Sequence, residues 1–414
     1  MSLDVLPTPH FAEFRCSRLP PSSVAVVLGT RPETVKLAGL VNLLGAAASV
    51  IHTGQHFDPE LAGKVGSGTG MPLAQLQLSV GGGSRGRQIG EGVTGVDAWL
   101  ARHEVRSVVV QGDTNATLAG ALAANARGIP LVHVEAGLRS RDRSMPEEHN
   151  RILVDHLSDV LCAATELNAD NLTREGIPGH RVFVTGNTVV EAVRRNLPTD
   201  ADRQRVTASH RVGINGYVLA TVHRPENTDD PAVLRRILTE LGRLPCPVVL
   251  PLHPRTLAAV DRHGLSGLLA PLRPSSPLPP RDFLALASGA AVVVSDSGGM
   301  QEECTVLGRP LVVVRRSTER PEAMTDFARL VTPRQIATAV TECLARVPGL
   351  YDQLRSLPSP FGDGRASTRI ARLVHRAAGC ACAAAQLPAE RTGPHLPVTA
   401  PRGAAPHPPD LASA

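Results

Sequence analysis

Lysine is nearly missing from this chain: Lys36 and Lys64 are its only two, although Lys and Arg together number 43 in 414 residues. Arginine carries the remaining positive charge, which beside the many Ala, Pro and Gly reads as a compositional bias in coding. Against that bias Lys36, inside a strand-turn-helix tract, marks a place for a compact ammonium. Aromatic residues make up only 2%, with one Trp and two Tyr. The net charge of +5 would suit nucleic acid, but the basic residues are scattered and little is present to stack bases, which argues against that partner. No apolar run reaches the roughly 18 residues that a membrane span needs. The opening MSLDVLPTPHFAEFRC lacks the basic start and apolar middle of a secretory signal, so a cytoplasmic protein without a membrane partner is expected. The seven cysteines (Cys16, Cys162, Cys246, Cys304, Cys343, Cys380 and Cys382) are odd in number and mostly isolated in apolar stretches, which argues against a disulfide framework. Cys380 and Cys382 form a CxC with no partner cluster, so no metal site is expected there.

What is present is an alternation. Apolar runs VAVVLG, SVIHTG, SVVVQGD, PLVHVEAG, VLCAAT and VFVTGN are separated by helical patterns such as ATLAGALAANARG, the signature of a parallel sheet covered by helices on both faces. The pattern lapses into a polar linker over residues 197–212, then restarts with YVLATV, PVVLPLH, AAVVVSDS and RPLVVV. The reading is an α/β protein of two Rossmann-like domains, 23–200 and 201–365. Around them lie a polar extension at 1–22, a C-terminal helical piece at 366–383 and a Pro- and Ala-rich tail at 384–414 expected to be disordered.

Two tracts, VAVVLGTRPETVK at 24–36 and VVVSDSGGMQEE at 292–303, each run from an apolar strand through a Gly-containing turn into a helix start. Unpaired N–H groups and the positive helix end converge there, as a phosphate requires. Two such tracts in two domains imply a ligand held between them. Gly81, Gly83 and Gly86 also satisfy G-x-G-x-x-G, but the preceding LQLSV is short, which disfavours a dinucleotide site. Tyr217 is followed four places on by Thr221 and Tyr351 by Arg355, so no Tyr-x-x-x-Lys of a nicotinamide-dependent epimerase is present. No cofactor is expected. Acids recur at strand ends, where open α/β sheets bind ligands: Asp113 after SVVVQ, Glu135 after PLVHV, then Glu147 and Glu148 with Arg151. Each alone reads first as a cap or loop ion pair; several at consecutive crossover ends point to one cleft able to move protons.

In order and spacing, GTRPETVK, TGQH, QGDTNAT, HVEAGLRS, PEEHNR, VTGNTVVEAV, TVHRPEN, SDSGGMQEE, TERPEAM and FGDGRAS closely resemble the bacterial non-hydrolysing UDP-N-acetylglucosamine 2-epimerases over residues 24–375. The resemblance implies a glycosyltransferase-B type fold, a UDP-sugar in the interdomain cleft, a C-terminal helix returning to the first domain and a homodimer. It implies elimination of UDP to a 2-acetamidoglucal and re-addition from the other face. It assigns catalysis to Asp113, Glu135 and Glu147, with His223 as a further catalytic or phosphate-contacting residue. Arg31, Lys36, Ser297, Gly298 and Gly299 become the diphosphate cradle, Glu303 the ribose contact and Phe283 a neighbour of the uracil. Arg139 and Arg151 either neutralise substrate charge or buttress Glu135 and Glu147. Gln55, His56, Arg87 and Gln88, with His253, match the pocket in which the family holds an activating UDP-N-acetylglucosamine. The sequence departs from the family at Phe57 and Asp58, and at Pro280 where relatives carry a Tyr.

Overall fold

A computed structural model describes residues 19–55 and 71–380. His56, Phe57, Asp58, Lys64, Cys16, Cys382, the expected tail and all but the end of the N-terminal extension lie outside the described residues.

The first sheet holds β1 (Val24–Leu28), β2 (Ala48–His52), β3 (Leu76–Gln77), β4 (Ser107–Gln111), β5 (Leu131–Ala136), β6 (Val160–Ala163) and β7 (Val182–Val184) in the order β3-β2-β1-β4-β5-β6-β7. The second holds β8 (Val218–Thr221), β9 (Val248–Pro251), β10 (Arg273–Ser275), β11 (Val292–Ser295), β12 (Leu311–Val314) and β13 (Ala328–Val331) in the order β10-β9-β8-β11-β12-β13. Every pairing is parallel. Such sheets are covered on both faces, which is why β1 reads VAVVL with all five residues buried.

The helices of the first half are α1 (Arg31–Leu44), α2 (Arg85–Leu100), α3 (Asn115–Ala126), α4 (Pro146–Leu157), α5 (Glu166–Arg174) and α6 (Thr188–Arg195). Those of the second are α7 (Asp200–Ser209), α8 (Pro225–Thr228), α9 (Pro231–Gly242), α10 (Pro254–Arg262), α11 (Pro280–Gly289), α12 (Gly298–Leu307), α13 (Ile336–Ala345), α14 (Gly349–Ser356) and α15 (Ala366–Ala377). No helix among the described residues is long and apolar enough to cross a membrane.

Each sheet reverses its direction of growth once, between β1 and β4 and between β8 and β11, and such switch points are where open α/β sheets bind ligands. The expected polar linker is corrected: most of it is α7, nucleated by a capping box in which the Thr199 hydroxyl and the Asp202 carboxylate satisfy each other's backbone N–H. Polar composition hid a helix whose start signal was present. The last helix, α15, buries Ile370, Ala371, Leu373 and Val374 in one core with Val24, Val26, Leu37 and Leu40 of the first sheet and α1.

Candidate active site

The turn after β1 is built on a buried acid. Glu33 accepts from the Gly29 N–H at 3.0 Å, the Thr30 N–H at 2.7 Å and the Thr30 hydroxyl at 2.7 Å through one oxygen. Its other oxygen accepts from Thr114 at 2.8 Å and Thr117 at 3.1 Å, tying the start of α1 to that of α3. Burial outweighs these bonds and raises its pKa. The expectation that the N–H groups of this turn await a phosphate is thereby corrected, because Glu33 takes two of them. Arg31, half-buried at the first position of α1, and Lys36 remain as the cations of this tract.

Glu135, the last residue but one of β5, has φ at +67°, a left-handed conformation that a non-glycine residue keeps only when its surroundings enforce it. The β5–β6 register shifts at this residue. Its side chain is almost wholly buried and receives the Lys36 ammonium at 2.6 Å, the Asn187 amide at 2.5 Å and the Gln111 amide. Burial alone would raise its pKa, but Lys36 and Arg320 overcome that and hold the carboxyl well below its usual range.

Asp113, in the β4–α3 turn, accepts from Arg151 at 2.5 Å. Arg151 is fully buried and also pairs with Glu148 at 2.7 Å. Glu148 in turn accepts from the Ser140 N–H at 3.0 Å, the Ser140 hydroxyl at 2.9 Å and the Arg141 N–H at 2.8 Å, so it shapes the loop before α4. Glu147, one residue earlier at the start of α4, is half-buried and has no ion-pair or hydrogen-bond partner among the described residues. Arg151 therefore braces Asp113 rather than Glu147. Arg139 does not reach Glu135: its guanidinium goes to Asp155 at 2.7 Å and to both oxygens of Glu175 at 2.7 and 2.5 Å.

In the second domain Asp296, buried at the end of β11, accepts from the N–H groups of His223 and Arg224 at 2.9 Å each and from the Asn227 amide at 3.0 Å. It also meets the His223 ring at 3.0 Å. Burial opposes its ionisation, but the His223 contact and the other donors bring its pKa down. His223 and Asp296 thus straddle the β8/β11 switch point, with His223 partly exposed. The start of α12 is different from that of α1. Ser297 caps it with no side-chain bond of its own while its N–H donates to the Ser295 hydroxyl at 3.0 Å, leaving the Gly298 and Gly299 N–H groups as the open helix start. Glu303, one turn on, is half-buried; burial lifts its pKa, Lys36 pulls it back and Glu302 adds to it, for a value of about 7.

The two halves meet through Lys36, which pairs with Glu135 at 2.6 Å and with Glu302 of α12 at 2.9 Å. Asn187 repeats the bridge, donating to Glu302 at 2.9 Å as well as to Glu135. Behind Glu302 stand Arg320 at 2.7 Å, then Glu319, then Arg315 at 2.8 Å from Glu319. Thr165 donates to Glu322 at 2.5 Å across the same seam.

Gln55 and Gln88 come together at the start of α3, where Gln55 accepts from the Ala116 N–H at 3.0 Å and Gln88 from the Asn115 amide at 2.8 Å. Arg87 turns outward to Glu91 at 2.7 Å. His253 is on the second domain with its ring centroid 5.3 Å from that of His223. Phe283, half-buried in the first turn of α11, packs on the core beneath β8 and β11. Pro280 opens that helix, where its missing N–H costs nothing. Gln111, Asn187, Asp296, Glu302, Glu319 and Arg320 lie in recognisable tracts but carry no sequence signal of their own, because their importance lies in contacts with residues remote in the chain or, for Glu319 and Arg320, in a charge relay that only the fold assembles.

A family model described as UDP-N-acetylglucosamine 2-epimerase matches residues 44–375. UDP-N-acetylglucosamine 2-epimerase of Methanococcus maripaludis is 34% identical over 364 residues, 85% of this chain and 98% of that protein. UDP-2,3-diacetamido-2,3-dideoxy-D-glucuronate 2-epimerase of Pseudomonas aeruginosa is also 34% identical, over 361 residues, 84% of this chain and 98% of its own. The crystal structure of Methanocaldococcus jannaschii UDP-GlcNAc 2-epimerase in complex with UDP-GlcNAc and UDP aligns with a TM-score of 0.77 at 34% identity, covering 85% of this chain and 99% of that one. With two doubly covered parallel sheets, acids at the strand ends of one and an open helix start on the other, this chain belongs to the UDP-N-acetylglucosamine 2-epimerase family.

Proposed function

We propose that the protein interconverts UDP-N-acetylglucosamine and UDP-N-acetylmannosamine by removing UDP from C1 together with the C2 proton and adding it back after protonation from the opposite face. The C2 hydrogen is not α to a carbonyl, so direct deprotonation is too costly and elimination is the accessible route. Such chemistry needs an anion site for the departing diphosphate beside acids and bases for C2. The observation that carries the reading is the Lys36 bridge, which joins Glu135 to the helix whose open start is suited to a diphosphate. Asp113, Glu135 and Glu147 are the proton-transfer groups in this reading, and His223 faces the leaving group. Gln55, Arg87 and Gln88, with His56, belong to a second UDP-N-acetylglucosamine site that favours closure. The family resemblance adds a homodimer in the cytoplasm to the proposal.

Incubation with UDP-N-acetylglucosamine in deuterated water, read by NMR, should give two intact UDP-sugars carrying deuterium at C2. Asp113→Asn, Glu135→Gln and Glu147→Gln should each slow that exchange by about a hundredfold or more. Free N-acetylmannosamine would replace the proposal with hydrolysis, and absence of exchange would remove it. A second reading, epimerisation of a UDP-2,3-diacetamido uronic acid, is favoured by the Pseudomonas relative at the same identity. Faster turnover of that sugar in the same assay would establish it.

A further inference from the structure

Beneath the two acid-bearing turns lies a buried pair that no step above uses. His133, in β5, and Asp155, in α4, are both fully buried and meet at 2.7 Å through Nδ1 and Oδ1. The other ring nitrogen of His133 lies 2.8 Å from the carbonyl oxygen of Gly112, which immediately precedes Asp113. The other oxygen of Asp155 accepts from the Gly137 N–H at 3.1 Å, two residues after Glu135, and from Arg139 at 2.7 Å. The pair therefore grips both turns at once. Glu135 needs that support, being a non-glycine residue at φ +67°, while Gly112 and Gly137 supply the neighbouring left-handed positions at +72° and +81° without strain. The turns also touch, since a Cβ on Gly112 would stand 3.6 Å from a Glu135 carboxylate oxygen.

We propose that His133 is a buried imidazolium which, with Asp155, positions Asp113 and Glu135 relative to one another; this rests on the reading of those acids as the proton-transfer groups. Both partners of the ring, a carboxylate oxygen and a peptide carbonyl, are acceptors only, so both nitrogens must donate. The charge is balanced locally. Asp155 faces His133 from α4, Arg139 comes from the loop after β5 and Glu175 closes the set from the end of α5. Burial penalises the Asp155 carboxylate, but His133 and Arg139 hold its pKa below the usual value. A neutral ring would leave either Asp155 or the Gly112 carbonyl without its bond and would free one turn against the other. A displacement of about 1 Å between reacting groups costs on the order of a hundredfold in rate.

The decisive measurement is the nitrogen-15 spectrum of histidine-labelled full-length protein at pH 8, with His133 assigned by its loss in His133→Gln. Two protonated ring nitrogens are expected; a ring carrying one proton overturns the inference without touching the proposed reaction, which the deuterium exchange of the unaltered protein tests separately. Asp155→Asn should lower kcat by about ten- to a hundredfold while UDP affinity stays within about twofold, since the diphosphate cradle is elsewhere. Unchanged kcat in a folded Asp155→Asn protein, or equal losses in kcat and UDP affinity, would reduce the pair to a structural ion pair. If that variant does not fold, the spectrum of the unaltered protein still decides.

Discussion

At the scale of single residues the site shows carboxylates driven apart in chemistry by their neighbours. Glu135 has two cations near it and stays ionised far into acid, whereas Glu303, a half-buried acid on α12, titrates at about 7. If Glu303 accepts the ribose hydroxyls it must do so as a carboxylate, so below pH 7 a proton has to leave before UDP can bind fully. UDP affinity is therefore expected to rise between about pH 6 and 8 and then level off. Calorimetry in two buffers of different ionisation enthalpy should show proton release near pH 6.5. Glu303→Gln should lose that part of the release, leaving only the titration of UDP itself. Identical pH dependence in both proteins would separate Glu303 from the ribose. The family resemblance singled out Glu303 for the ribose, but the tract itself gives no role to Glu302 next to it, because the Glu302 bond to Lys36 is made only by the fold.

At the scale of elements, the strand ends and helix starts were largely legible, since apolar runs broken by Gly and Thr turns leave few alternatives to parallel β-α units. The edge strands β3, β10 and β13 were not, because LQ, RPS and ARLV offer no unbroken apolar run. Nor was α7, whose hydrophilic composition resembles a linker. Most informative is the contrast between two helix starts that look alike in sequence. At α1 a glutamate three residues in occupies the turn; at α12 a pair of glycines leaves it open. Gly298 is needed there for space, because a Cβ would lie 2.6 Å from Arg320 and 2.8 Å from Glu319, both held by ion pairs. Gly298→Ala should thus destabilise by about 1–3 kcal/mol, visible as a fall in Tm of several degrees. The nearest atom to a Cβ on Gly299 is 3.7 Å away, so Gly299→Ala should leave Tm unchanged. Weaker UDP binding in Gly299→Ala at an unaltered Tm would identify this helix start as the diphosphate contact; unaltered binding in both would move that contact elsewhere.

At the scale of the whole molecule, the two domains share an apolar contact, where Val189, Val190 and Val193 of α6 pack with Met300 and Cys304 of α12, and the question is what the ionic groups beside it add. Lys36 pairs with Glu135 on its own domain and reaches across to Glu302, behind which Arg320, Glu319 and Arg315 continue the alternation; each domain's share of these charges is neutral, so the ion pair that exists only while the domains are docked is Lys36–Glu302. A chain written almost entirely with arginine keeps one of its two lysines at this position, where a compact ammonium fits between two carboxylates on different domains. Removing it leaves Glu135 and Glu302 facing each other, and stripping one partner from a buried ionic set costs about 3–5 kcal/mol. That cost falls on the turn holding Glu135 and on the ionic part of the seam, not on the apolar clusters, which do not include these residues. Lys36→Met should therefore leave secondary structure intact while small-angle scattering reports a larger particle, one that saturating UDP compacts incompletely. Adding Glu302→Gln to that variant removes one of the opposed charges and should recover part of the compaction. If Lys36→Met scatters like the unaltered protein, apolar and backbone contacts hold the seam by themselves, and Lys36 acts on Glu135 alone.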